Sequence, residues 1–215
     1  MTIAGNDQGN LTGSFAGLRV LDFSTTIAGP HCTRMLADMG AEVIKIETEE
    51  GETMRTRPPV RNNCSTAFGQ LNVGKNSLVL DLKSPAGLEA VRRLVATADV
   101  LVENFRPGVM RRLKLDYASL KELNPKLIYC SISGYGQTGP SAELPAYAPV
   151  IHAASGYEMA HLAYQPGAAG RTIAASITPT CSPGSMRSGP FRRRCISARR
   201  PGRASISMSR CWNPC

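Results

Sequence analysis

Between residues 17 and 133, short apolar runs alternate with segments whose apolar residues recur at three- and four-residue spacing, and few folds accept that alternation. Residues 18–23 (LRVLDF) have the length and apolarity of a buried strand. Ala28-Gly29-Pro30 then turns the chain, and Pro30 suits a first helical turn, where no amide donor is required. Cys32, Met35, Leu36 and Met39 recur at helical spacing, and Gly40 can end the helix. Glu42–Glu47 (EVIKIE) reads as the next strand. A strand, a helix and a strand joined this closely predict parallel pairing with a right-handed crossover.

The pattern repeats. Residues 77–82 (SLVLDL) are strand-like, and Ser84-Pro85 opens a helix that carries Leu88, Val91 and Val95 on one face. Residues 99–103 (DVLVE) form a strand, 116–123 a short helix ended before Asn124-Pro125, and 127–132 (LIYCSI) another strand. The expected fold is therefore α/β, Rossmann-like, with a mostly parallel sheet. Residues 48–70, with Pro58-Pro59, are expected to be a long irregular excursion, and loops of that length in α/β domains tend to be functional. After about residue 182 the periodicity vanishes and Arg, Ser, Pro, Gly and Cys dominate, the composition of a disordered tail. This divides the chain into a flexible 1–14, a domain over 15–180 and a disordered 181–215.

The charge distribution follows the same division. All sixteen acidic residues lie at or before Glu158, while eight arginines fall after residue 180. Without those arginines, 17 basic residues face 16 acidic ones, so all but one unit of the formal charge of +9 belongs to the tail and the body is nearly neutral. The tail arginines lack interleaved aromatics, which argues against nucleic acid as a partner. No apolar run approaches the roughly eighteen residues of a spanning helix, and residues 1–12 lack the basic start and apolar core of a secretory signal. A cytoplasmic protein with no membrane partner is expected. Cys32, Cys64 and Cys130 are expected to pack as small apolar groups. Cys181, Cys195, Cys211 and Cys215 offer neither a CxxC pair nor a nearby His, so a metal is not expected.

No glycine fingerprint for a dinucleotide or a phosphate loop occurs, and His31 and His152 lack the spacing of a catalytic arrangement. Residue chemistry by itself stops at ligand loops on strand ends.

Four ordered blocks carry a resemblance. They are GLRVLDFSTTIAGPHCTRMLADMGAEVIKIE (17–47), LNVGKNSLVLDLKSPAG (71–87), ADVLVENFRPGVMRRLKLDY (98–117) and LNPKLIYCSISGYGQTGP (123–140). Together they resemble the family III CoA-transferases. The resemblance implies a Rossmann-like large domain, of which this chain holds the N-terminal part, a smaller second domain and an interlocked homodimer. It implies coenzyme A as acyl-CoA substrate, with a carboxylic acid as the other partner. Carried over by position, Thr25, Ile27 and Ala28 would line the adenine and pantetheine path. Lys75 and Arg112 would face the phosphates, and Asn104 and Phe105 would contact nucleotide and pantetheine. Lys and Arg from separate loops can clamp phosphates by charge-assisted hydrogen bonds.

The resemblance also implies covalent catalysis. An Asp attacks the donor thioester, a mixed anhydride forms, and returning CoA gives an aspartyl-CoA thioester that the acceptor acid then discharges. That Asp is expected just after a stretch resembling residues 172–178, where this chain has Pro179, Thr180 and Cys181. No catalytic residue is therefore assigned, and a truncated chain, inactive alone, is expected. Two alternatives follow: a non-catalytic CoA-binding remnant, and a racemase-type isomerase fragment, whose GHD-like motif is replaced at Tyr147-Ala148. A change of reading frame near Pro179 accounts for the tail. With GC-rich codons, the last base of Pro179 (CCG) and the first two of Thr180 (ACG) read GAC, an Asp, and DAFGAISAALYQRETTG is permitted downstream. Sequencing the gene is expected to show that reading in the upstream frame; its absence overturns the idea.

Overall fold

The computed structural model of the protein describes residues 13–61 and 64–163. The expectations for the tail, for Pro179 to Cys181 and for residues 1–12 lie outside the described residues.

Along the chain the elements are β1 (Arg19–Asp22), α1 (Ala28–Asp38), β2 (Glu42–Glu47), a 3-10 turn (Thr53–Thr56), β3 (Val60–Arg61), β4 (Cys64–Ser65), α2 (Thr66–Asn72), β5 (Lys75–Val79) and α3 (Pro85–Thr97). They continue with β6 (Val100–Glu103), α4 (Val109–Arg112), α5 (Tyr117–Leu120), β7 (Ile128–Ser131), α6 (Ala148–Ala154) and α7 (Tyr157–Ala163). Five strands form one sheet in the order β5-β2-β1-β6-β7, every neighbouring pair parallel. The α/β, mostly parallel architecture expected from the alternation is what forms. None of the helices among the described residues is long and apolar enough to cross a membrane.

The central strands are apolar on both faces because both faces are covered. Val20, Val43, Val100, Val102 and Cys130 point to one side, where Leu36 of α1 and Phe15 pack on them. Leu21, Ile46, Leu101 and Tyr129 point to the other, against Val91 and Val95 of α3 and against Met110, Leu115 and Leu120. Burying side chains of this size contributes roughly 1.5–3 kcal/mol each. Cys32 and Cys130 are buried as expected of small apolar groups, but Cys64 is exposed. It sits on the short antiparallel ribbon of β3 and β4, outside the five-stranded sheet.

Local signals set the element ends. The Ser84 hydroxyl accepts the Gly87 amide at 3.0 Å and Pro85 follows it, so α3 begins where sequence chemistry places it. Gly40, at φ +93, takes the left-handed conformation that stops α1. Strand β5 lies over 75–79 rather than 77–82, because β2 fixes its register (Val43 beside Lys75, Glu47 beside Val79) and ends there. The 48–70 excursion is less irregular than expected, since it holds the 3-10 turn, the ribbon and most of α2.

Two charge clusters lock the C-terminal ends of β1 and β2 to the first half of β5. Asp22, wholly buried, accepts Lys75 Nζ at 2.9 Å, Thr33 Oγ1 at 2.7 Å, the Ser24 amide at 2.9 Å and the Ser24 hydroxyl. Burial alone would raise its pKa; Lys75, Lys45 and the two hydroxyls outweigh that and hold the carboxyl below its ordinary range. Beside it, Arg55 grips Glu47 with two bonds of 2.6 Å, Ser77 Oγ adds one at 2.8 Å, and the guanidinium lies 4.1 Å over the Phe68 ring.

Asp22→Asn keeps the shape and removes the charge, so it is expected to lower the unfolding free energy by about 3 kcal/mol. A urea midpoint series checks this, and a loss below about 1 kcal/mol, the scale of a surface pair, would show that the charge is not what binds these ends. Burial raises and Arg55 and Ser77 more than lower the Glu47 pKa, which is held down to about 2. Unfolded, it would titrate near about 4.3. Its contribution is therefore full above that value and disappears as pH falls through about 2. Acid unfolding of wild type and Glu47→Gln should converge toward pH 2, and parallel curves would contradict this.

Candidate functional site

Parallel strands open all their C-terminal ends on one edge of the sheet. From β1 the chain steps outward through β2 to β5, then returns to the other side of β1 for β6 and β7. The loops after β1 and β6 leave in opposite directions, and the gap between them is where open α/β sheets hold ligands. A cavity of about 300 Å³ occupies this gap. Its walls are Thr25, Thr26, Ile27 and Ala28 after β1, Asn104 to Pro107 after β6, and parts of 132–134 and 142–151.

Sequence and geometry bring the first two loops to a fixed separation. Asn104 Oδ1 accepts the Thr25 amide at 2.8 Å, and Asn104 Nδ2 donates to the Thr25 carbonyl at 2.8 Å. One side chain thus replaces a backbone pair across two loops. Gly29 lets α1 start close beneath them, because a Cβ there would lie 2.1 Å from Ser24 Cβ. The N-terminal end of α1 begins at Ala28 on the cavity wall, a position whose partial positive charge favours anionic groups.

At the end of β6, Glu103 is buried and accepts the Phe105 amide at 2.9 Å and the Ser131 hydroxyl. Burial pushes its carboxyl above the ordinary range, and these two hydrogen bonds oppose that without cancelling it. The residue ties β6, β7 and the Phe105 loop into one frame. Burial likewise pushes the Tyr129 phenol up.

The expected ligand residues divide. Thr25, Ile27, Ala28, Asn104 and Phe105, gathered from two distant segments, all line the one cavity. Arg112 ends α4, exposed, and is not on the cavity wall. Lys75 is turned inward: Asp22 Oδ2 at 2.9 Å, the Pro30 carbonyl at 2.9 Å and Asn72 Oδ1 at 2.8 Å take all three donors, and the side chain is 2% exposed. A phosphate contact from Lys75 would require breaking that set. The reason is that a buried carboxylate needs a cation, and a partner 53 residues away is not visible as a pattern. Arg106 lines the cavity and was not singled out from the sequence. Its position just past the β6 end, beside Asn104 and Phe105, was the available signal. His152 is buried, its ring 4.8 Å from that of Tyr157, and neither it nor His31 lines the cavity.

Comparison with known proteins points the same way. The model of "CoA-transferase family III" matches residues 15–181. A succinate–glutarate CoA-transferase of Agrobacterium fabrum is 45% identical over 159 residues, 70% of this chain and 40% of that protein. An acetyl-CoA:oxalate CoA-transferase of Acetobacter aceti is 47% identical over 149 residues, 69% of this chain and 38% of that one. The chain thus spans about two-fifths of the length of the curated relatives it matches. Among solved structures, a CaiB/BaiF family protein of Brucella suis superposes with a TM-score of 0.81 at 34% identity, covering 92% of this chain and 52% of that one. The blocks, the parallel sheet and the cavity at its switch point agree with that match, and the chain belongs to CoA-transferase family III.

Proposed function

We propose that this chain supplies the coenzyme A-holding part of an enzyme that exchanges CoA between a thioester and a carboxylic acid. One observation carries the reading: the five residues Thr25, Ile27, Ala28, Asn104 and Phe105, expected on CoA from the resemblance, converge on a single cavity at the strand-order reversal. The names of the relatives, which pair succinate with glutarate and acetyl-CoA with oxalate, support carboxylic acids and their CoA thioesters as the substrate class. In this reading Phe105 and the apolar cavity walls take the pantetheine, and the cations after β6, Arg106 and then Arg112, meet the phosphates. Lys75 acts at one remove, by holding Asp22 and so the β1 loop.

Residues 15–180 are proposed as the N-terminal part of the family's large domain, working as a homodimer in a complete enzyme. An aspartyl-CoA intermediate is the proposed covalent step. Pro179, Thr180 and Cys181 stand where its aspartate is expected, so the step is not assigned to this chain. That substitution favours a second reading, a CoA-binding protein that does not catalyse transfer. Tyr147, in the position of the racemase motif, lines the cavity without an acid–base pair beside it in sequence, which weighs against an isomerase.

Calorimetric titration of the 215-residue chain with CoA is expected to show one site. At a hundredfold excess over Kd, CoA should stabilise the chain by about 2.7 kcal/mol. Asn104→Ala is expected to weaken CoA about tenfold or more, a cost of at least about 1.4 kcal/mol. Arg111→Ala, on an exposed side chain off the cavity, should change affinity less than about threefold. Absence of stabilisation at millimolar CoA would sink the proposal. Exchange of labelled CoA between thioester and acid separates the two readings: transfer by this chain rejects the non-catalytic one.

A further inference from the structure

Thr26, on the cavity wall, has φ +70, a left-handed conformation that a β-branched residue avoids. A backbone held there needs partners that over-determine it. Its neighbour Thr25 is held at both N–H and C=O by Asn104. The N–H of Thr26 itself donates to Glu52 Oε1 at 2.6 Å, a short charge-assisted bond.

Glu52 comes from the turn that follows β2, not from any strand end around the cavity. Its side chain is 1% exposed, and Oε2 lies 2.7 Å from Lys45 Nζ, an ion contact off the hydrogen-bonding direction. Lys45 Nζ also donates to the Ser24 carbonyl at 2.8 Å, one residue before the clamped Thr25. The Glu52 amide is anchored by Glu47 Oε2 at 3.2 Å, the carboxylate that Arg55 grips. Glu52 does not line the cavity. Its carboxylate therefore touches the site through one bond, to the one strained peptide of the ligand loop.

We infer that Glu52 is a positioning residue: its buried carboxylate fixes the Thr25-Thr26 turn in the shape that the cavity uses to hold CoA. This rests on the CoA reading above. The competing account is that Glu52 serves only as the counter-ion of Lys45 and that the Thr26 bond is incidental.

Three variants separate these accounts. Glu52→Gln keeps an acceptor oxygen for the Thr26 amide and loses the charge that faces Lys45. Glu52→Ala loses both. Glu52→Asp keeps the charge but is one methylene shorter, withdraws from Thr26, and serves where the alanine variant does not fold. Two readouts are taken on the full chain: amide-proton exchange of Thr26 by NMR, and CoA affinity. The Thr26 amide is expected to stay protected in wild type and in Glu52→Gln, with CoA Kd within about threefold. In Glu52→Ala and Glu52→Asp its exchange should speed up about a hundredfold, and Kd should rise about tenfold or more, about 1.4 kcal/mol. A glutamine variant as impaired in CoA binding as the alanine variant assigns the effect to the ion pair and overturns the inference. So does normal CoA affinity in Glu52→Ala or in Glu52→Asp. If wild type binds no CoA, the CoA reading fails, while Thr26 protection that does not depend on Glu52 refutes the positioning role separately.

Discussion

Asp22 ends the central strand β1 with none of its side chain exposed, and an uncompensated carboxylate there would cost several kcal/mol. The surrounding structure is organised by meeting that cost. Lys75 comes from β5, two strands away; Thr33 comes from α1; Ser24 comes from the loop just beyond the strand. These partners bring together the end of β1, the start of β5 and the underside of α1. Lys45, on the strand between them, contributes to keeping Asp22 ionised and carries the network on to Glu52. A hydrophobic pair of similar volume could fill the same space, and it would specify less, because apolar contacts do not fix direction.

From this point the geometry of the cavity follows in order. Parallel strands put every loop on one edge, and right-handed crossovers send α1 to one face and α3 to the other. The gap between the loops after β1 and β6 is a result of topology. Its width is a result of chemistry, since Asn104 spans it with two bonds of 2.8 Å. Below it, Glu103 ties β6 to β7 through Ser131.

Most of the sheet was legible in the sequence, and the reason is periodicity. β2 falls at the expected residues, and α3 begins at its Ser84-Pro85 signal, because apolar spacing and capping are local properties. β5 begins two residues and ends three residues before the expected 77–82, since its bounds are dictated by β2 and not by its own apolar run. The five cavity residues were legible only through resemblance. The three polar pairings that shape them were not legible at all. Asp22 with Lys75, Asn104 with Thr25 and Glu52 with Thr26 join residues 26 to 79 positions apart, and each member looks ordinary alone: a strand end, a loop amide, a loop acid. Exposure misled as well. Lys75, expected to face phosphate, is 2% exposed and turned onto Asp22.

In the proposed reading, the position of the cavity in the chain also separates holding CoA from reacting with it. Its lining residues among those described run from Thr25 to Ile151, and the supports beneath them run from Asp22 to Ser131. The place expected for the family's nucleophile, residues 179–181, comes later in sequence. The described part of the cavity wall is built from earlier residues, and its internal bonds do not depend on whether a carboxylate or Pro-Thr-Cys follows. Electrostatics points the same way. Asp22 and Glu52, the carboxylates bonded to the first loop, are turned inward onto lysines, which leaves Arg106 and Glu143 as the charged residues on the cavity wall. In the proposed reading, binding and transfer draw on different parts of the sequence, and the loop after β1 is held by Asn104 at the wall and by the buried charges Asp22, Lys45 and Glu52 behind it.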